Sequence, residues 1–165
     1  MNPKEARTVA DFLLADFEFE MQTTMRVIAA VPDNHLQYTP DGRSKTALGL
    51  VRHLVLEDEW LLNCIADGAF TPPPDDSDIC GIMNPAEAIA QYKVKLPAAL
   101  NRLRALPDQK LLDSIDMFGA IKLPTNNFLA LAIKHSVHHR GQLSTYLRPM
   151  GAKVPGIYGP SADTH

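Results

Sequence analysis

The chain has 165 residues, of which 45% are hydrophobic and 21% are charged, and its formal net charge is −3. This length and composition predict one globular domain over residues 1–165, large enough to bury a hydrophobic core. The small negative charge and the lack of a basic run argue against nucleic acid or a membrane surface as a partner. With no signal-peptide pattern, no apolar run of membrane-spanning length and only two cysteines, the sequence predicts a cytoplasmic protein with free thiols.

Apolar residues at helical spacing predict four helices, and these favour an all-α bundle. Pro3 is suited to the start of the first helix, and Asn84 can cap the third. Gly68 and Gly151 are expected to end the second and fourth helices. The predicted helices span residues 3–30, 44–67, 85–106 and 125–150.

The first predicted helix carries an apolar stripe with two carboxylates beside it. Asp16 and Glu20 belong either to a solvated edge of that face or to side chains that reach into a polar cavity. The stripe itself consists of Val9, Phe12, Leu13, Phe17, Thr24, Val27, Ile28 and Val31.

The segment between helices 2 and 3, residues 69–84, contains three consecutive prolines from Pro72 to Pro74. They exclude a helix and favour an extended path. At about 3.3 Å per residue, such a segment reaches about 50 Å, which lets it cross from one end of a bundle to the other. Helix 3 can then run parallel to helix 2. Further along, the sequence predicts a helical turn at 109–114, an extended piece at 115–121 and a C-terminal tail that packs back on the bundle.

The strongest functional signal is a group of histidines in helix 4, which holds three of the six in the chain. His135 and His139 are four residues apart, so on a helix they lie one turn apart on the same face and can bind one metal ion. We expect this pair to point into the protein, because it shares its face with apolar residues. Those residues are Phe128, Leu131, Ala132, Leu143 and Tyr146.

Three other polar residues lie next to the pair in helix 4. His138 is turned about 100° away from His139, so we expect it at the surface or beside the ligands instead of among them. Arg140 is expected to point outward or to lie at a seam between helices. Gln142 is expected either at the mouth of the cavity or at the edge of the core.

Helix 2 places a third histidine, His53, in the middle of an apolar face. Alone, it would be expected to be a hydrogen-bonded core residue, but together with the pair on helix 4 it completes a set of three imidazoles that leaves positions open on a metal. Glu57 follows His53 by one turn and has three open roles: a metal ligand, a carboxylate that orients an imidazole, or a residue at the edge of the stripe. The alternative without a metal is a bundle whose histidines hydrogen-bond to carboxylates.

Two runs in the sequence resemble the DinB/YfiT-like family of small four-helix-bundle metalloproteins, over essentially the whole chain. They are Leu48-Gly49-Leu50-Val51-Arg52-His53-Leu54-Val55 and His135-Ser136-Val137-His138-His139-Arg140-Gly141-Gln142-Leu143. The resemblance implies a histidine triad of His53, His135 and His139 that binds a divalent ion such as nickel or zinc. It also implies an up-down-down-up topology and a homodimer.

The resemblance also suggests what the metal would do. Relatives include S-transferases that use bacillithiol or mycothiol and a maleylpyruvate isomerase that uses mycothiol. The leading hypothesis is therefore a thiol-dependent S-transferase acting on small electrophiles, in which the metal lowers the pKa of the thiol and Gln142 contacts the cofactor. In the alternative, a metal-dependent hydrolase, Glu57 is the general base for water. A third hypothesis is a metal-binding stress-response protein without enzymatic activity.

Overall fold

The computed structural model describes residues 1–164, and within that range it has four long helices, one small hairpin and three short 3-10 helices at Asp33–His35, Asp78–Cys80 and Asp108–Leu112. It confirms the predicted four-helix bundle. The elements are α1 (Pro3–Ala29), α2 (Ala47–Asp67), α3 (Pro85–Arg104), α4 (Thr125–Leu147), and the antiparallel strands β1 (Ser114–Met117) and β2 (Ile121–Pro124). Within residues 1–164, no helix combines the length and apolarity needed to cross a membrane.

Local capping chemistry sets the ends of the helices. Asn2 and Glu5 form a capping box at the start of α1, in which each side chain accepts a hydrogen bond from the backbone N–H of the other residue. Thr46 caps α2, which is why this helix begins at Ala47 and not at residue 44 as predicted. Gly68 ends α2 in the left-handed conformation, with φ at 70°, which glycine adopts without strain.

Side-chain contacts between helices define their directions. In the pairs α2–α3 and α1–α4, the residue numbers of the contacting residues increase together along both helices. The two helices of each pair therefore run in the same direction. Residues 69–84 make the crossover that this arrangement requires between α2 and α3. The contacts are Tyr92 with Asp58 and Arg102 with Asp67 between α3 and α2, and Asn126 with Ala6 and Arg140 with Glu20 between α4 and α1.

The predicted core face of α1 is partly wrong. Phe12 is 71% exposed and Val9 is 37% exposed, whereas Ala6 and Ala10 are fully buried. Ala6 and Ala10 lie on the face of α1 that packs against the other helices. A hydrophobicity pattern misses them, because alanine is only weakly hydrophobic. The C-terminal tail packs on the bundle as predicted, with Val154 among the partly buried residues against the core.

Candidate metal centre

Three imidazoles converge between α2 and α4. The potential ligand atoms of His53, His135 and His139 all lie within 4.8 Å of one another. Nε2 of His53 lies 3.2 Å from Nε2 of His139, and the ring centroids of His135 and His139 are 4.5 Å apart. Three neutral imidazole nitrogens that face one point are a typical donor set for zinc and related ions. The cluster therefore fits a divalent transition metal.

Two of the imidazoles are oriented by acceptor side chains behind them. Nδ1 of His53 lies 3.1 Å from Oδ2 of Asp76, and Nδ1 of His139 lies 2.7 Å from Oε1 of Gln142. An acceptor at Nδ1 favours the proton on that nitrogen, which leaves the lone pair of Nε2 available to a metal. Gln142 therefore supports His139, in addition to facing a cavity as described below.

The third imidazole, His135, has a buried carboxylate behind it. Its Nδ1 lies 3.9 Å from Oδ1 of Asp58, and neither atom has a hydrogen-bond partner within residues 1–164. The other carboxylate oxygen of Asp58 accepts hydrogen bonds from the hydroxyls of Tyr92 and Ser136. Asp58 is fully buried, so these bonds compensate part of the cost of burying its charge. An anchored carboxylate thus lies behind the imidazole, as is common for metal-binding histidines.

Burial favours the unprotonated form of two of the imidazoles, those of His53 and His139. It lowers the pKa of His139 to about 4, and the neighbouring imidazoles act in the same direction. Burial also lowers the pKa of His53, although its contact with Asp76 opposes the change. Since metals bind the neutral form of imidazole, both rings are already in the binding state at pH 7.

Glu57 lies beside the triad, in the wall of a cavity of about 380 Å³. Its side chain is almost buried, and this burial raises the pKa of its carboxyl group. It does not belong to the three-histidine ligand group. The other residues that line the cavity are Trp60, Leu61, Met117, Leu131, Lys134, His135 and His138.

A second cavity, of about 320 Å³, adjoins His139. It shares no lining residue with the cavity of Glu57. Gln142, which the sequence predicted to contact a cofactor, is part of its wall. The lining residues are Arg43, Ser44, Lys45, Leu50, His139, Gln142 and Tyr146.

Some of the predicted positions need correction. The triad is half-buried and does not point wholly into the protein. The outward alternative for Arg140 is wrong, because its side chain is 1% exposed and pairs with Glu20 at the seam between α4 and α1. Glu20 is likewise buried and does not lie on a solvated edge. His138 is exposed, as predicted.

Sequence reasoning missed Asp58 and Asp76. Asp58 follows Leu54 by four residues and precedes Leu61 by three, so it lies on the apolar face of α2, where its spacing was a signal that the sequence analysis did not use. Asp76 follows the prolines of the crossover, where acidic residues are typical of a loop. For Asp76, the available signal was the stiffness of the crossover, since three consecutive prolines restrict the backbone that leads to this side chain.

The fold and the three convergent imidazoles together place this chain among four-helix-bundle proteins with a candidate metal centre. The sequence profile of the DinB family matches residues 6–164, and the chain belongs to this family. YrdA of Bacillus subtilis is 28% identical over 155 residues, which cover 93% of this chain and 90% of YrdA.

Solved structures share the fold at lower identity. A DinB-like protein from Bacillus cereus is 22% identical, with a TM-score of 0.75 over 88% of this chain and 95% of that one. YfiT from Bacillus subtilis, described as a probable metal-dependent hydrolase with an unusual four-helix bundle topology, is 17% identical, with a TM-score of 0.63 over 92% of this chain and 89% of its own. A mycothiol-dependent maleylpyruvate isomerase is 11% identical, with a TM-score of 0.57 over all of this chain and 65% of its own.

Proposed function

We propose that this chain is a metal-dependent enzyme that activates a small nucleophile, with Glu57 as the proton acceptor. His53, His135 and His139 would hold the ion. The observation that carries this proposal is the position of Glu57, a carboxyl group of raised pKa in the wall of the same cavity as His135. When bound, a divalent ion of this kind supplies Lewis acidity, which makes water or a thiol a stronger acid and so a nucleophile at neutral pH.

The residues of the chain supply the remaining parts of the chemistry. A carboxylate whose pKa is raised toward the working pH is a better general base than an ordinary exposed one. The apolar wall of Trp60, Leu61 and Leu131 can hold the organic part of an electrophile and exclude water from it. Asp76 and Gln142 orient His53 and His139 through their contacts at Nδ1.

With water as the nucleophile, the reaction is a hydrolysis. The resemblance in fold to YfiT, described as a probable metal-dependent hydrolase, supports this version. It requires only the metal centre, Glu57 and one organic substrate in the apolar cavity.

With a low-molecular-weight thiol as the nucleophile, the reaction is an S-transfer. The observation that favours this version is the presence of two separate cavities, each of which includes one histidine of the triad in its wall. Such an arrangement suits a reaction between two molecules. The resemblance in fold to a mycothiol-dependent isomerase supports it as well.

The test is an assay of the zinc- and nickel-loaded protein with two substrate panels. One contains carboxylic esters and amides, and the other combines cysteine or cysteinyl thiols with monochlorobimane. We expect Glu57→Gln to lower kcat about 100-fold or more on the productive panel, as loss of a general base does, while the metal content stays unchanged.

Glu59→Gln is the matched control, because Glu59 lies on the same helix and pairs with Lys95 instead of facing the cavity. It should keep full activity. Full activity of Glu57→Gln, or turnover that persists in His53→Ala without metal, would overturn the proposal.

A further inference from the structure

We propose that the cavity lined by Arg43 and Lys45 is an anion-binding subsite, so that one reactant carries a carboxylate or phosphate group close to the metal centre. This inference rests on the proposed function, because it describes a ligand of the same site. The cavity is lined by His139 and Gln142, so a small molecule held there is next to one residue of the triad.

Two basic residues, Arg43 and Lys45, line this cavity, and no acidic residue among residues 1–164 does. The ammonium of Lys45 pairs with Asp76, so the positive charge without an ion-pair partner in the lining is that of Arg43. The ion pairs formed within residues 1–164 do not include Arg43. A guanidinium presents several N–H donors in a planar fork that matches the oxygens of a carboxylate or phosphate.

The acidic residue of the neighbouring turn is already engaged. Asp41 accepts hydrogen bonds from the backbone N–H of Arg43 and from the backbone N–H and hydroxyl of Ser44. These bonds hold the turn that carries Arg43 and leave the Ser44 hydroxyl committed to Asp41. The ligand contacts of the subsite are therefore expected from Arg43 and Lys45.

Lys45 connects the subsite to the metal centre. Its Nζ lies 2.6 Å from Oδ2 of Asp76, the same oxygen that lies 3.1 Å from Nδ1 of His53. An ammonium group has three donors, so Lys45 can keep this contact and still donate to an anion. Lys45 would then bind both the anionic ligand and Asp76, the carboxylate that orients His53.

The backbone N–H groups at the start of α2 are not expected to bind the anion. The N–H groups of Ala47, Leu48 and Gly49 are bound to the carbonyls of Tyr38 and Leu36 and to the hydroxyl of Thr46. The helix end adds positive potential, but it offers none of these three donors to a ligand. Binding should therefore depend on the two side chains, which makes it testable by substitution.

The experiment is an NMR or calorimetric titration of the full-length chain, metal-free and zinc-loaded, with succinate and with inorganic phosphate at constant ionic strength. We expect Arg43→Gln to weaken binding of the preferred probe about tenfold or more, since a charge-assisted hydrogen bond is lost. Lys4→Gln, which removes the same charge from an exposed position on α1, should bind as the unmodified protein does. Preference for succinate would assign a carboxylate ligand, and preference for phosphate a phosphorylated one.

Equal binding by Arg43→Gln and Lys4→Gln, or no binding of either probe by the unmodified chain, would overturn the subsite. Because the titration involves no turnover, its result is independent of whether the chain is an enzyme. An inactive protein that binds succinate through Arg43 would refute the proposed function alone. An active protein without such binding would refute the subsite alone.

Discussion

The Nδ1 of His53 lies 3.1 Å from the Oδ2 of Asp76, a residue of the proline-containing crossover between α2 and α3. This contact makes the crossover part of the metal centre as well as a connection between helices. The three prolines that precede Asp76 restrict the backbone before folding, so less entropy is lost when its carboxylate is fixed in place.

Asp76→Asn should weaken zinc binding about 10- to 100-fold, as removal of the partner of a metal-binding histidine typically does. A neutral amide is a weaker acceptor for the imidazole N–H, and its pairing with Lys45 is weaker. The measurement is competition with a chelating zinc indicator. The matched control is Asp75→Asn, because Asp75 is exposed and accepts instead from the backbone of Ser77. Equal zinc affinities in the two variants would show that Asp76 plays no part at the centre.

Arg140→Met should lower the free energy of unfolding by about 3–5 kcal/mol, because it leaves the carboxylate of Glu20 buried without its charged partner. Replacing both residues, as in Glu20→Leu with Arg140→Met, should recover much of this loss. Urea denaturation measures both effects. Arg148→Met is the control, since its pair with Asp163 is exposed and should be worth less than about 1 kcal/mol. A cost no greater than that of the control would contradict the role of the buried pair.

The stability of the metal-free protein should fall as the pH falls from about 7 toward 4. The pKa of His139 is lowered from 6.5 to about 4 in the folded chain. The unfolded state therefore binds more protons in this range, and acid favours unfolding. The raised pKa of Glu57 acts in the opposite direction and reduces the effect. Thermal unfolding across this pH range measures the net result.

In His139→Gln, the decline in Tm with falling pH should be shallower than in the unmodified chain. His35→Gln should change nothing, because His35 is exposed. Parallel pH profiles for the unmodified chain and His139→Gln would contradict this account of the buried imidazole.

The sequence was sufficient to predict the four helices and the three histidines that converge. Helical periodicity places residues on faces, and the spacing of His135 and His139 is a property of one helix. These two features do not depend on how distant segments meet, whereas placing His53 beside the pair required α2 and α4 to be neighbours, as a bundle allows and as the family resemblance implies. The face of α1 was harder to predict, because the buried alanines at positions 6 and 10 carry little hydrophobic signal beside Phe12.

The residues that support the site could not be predicted in this way. Asp58 is buried because Tyr92 of α3 and Ser136 of α4 both cover and bond to it. Asp76 reaches His53 only through the path of a long crossover. Such positions depend on contacts among several segments, and the pattern of a single helix does not contain that information.

The metal content of protein purified without an affinity tag tests the central claim most directly. It should be measured after reconstitution with zinc or nickel and removal of excess ion, in the unmodified chain, His53→Ala, His139→Ala and the exposed-histidine control His35→Ala. We predict one divalent ion per chain in the unmodified protein and in the control, and loss of that ion in both triad variants. A protein that retains no ion, or triad variants that retain it fully, would contradict the claim.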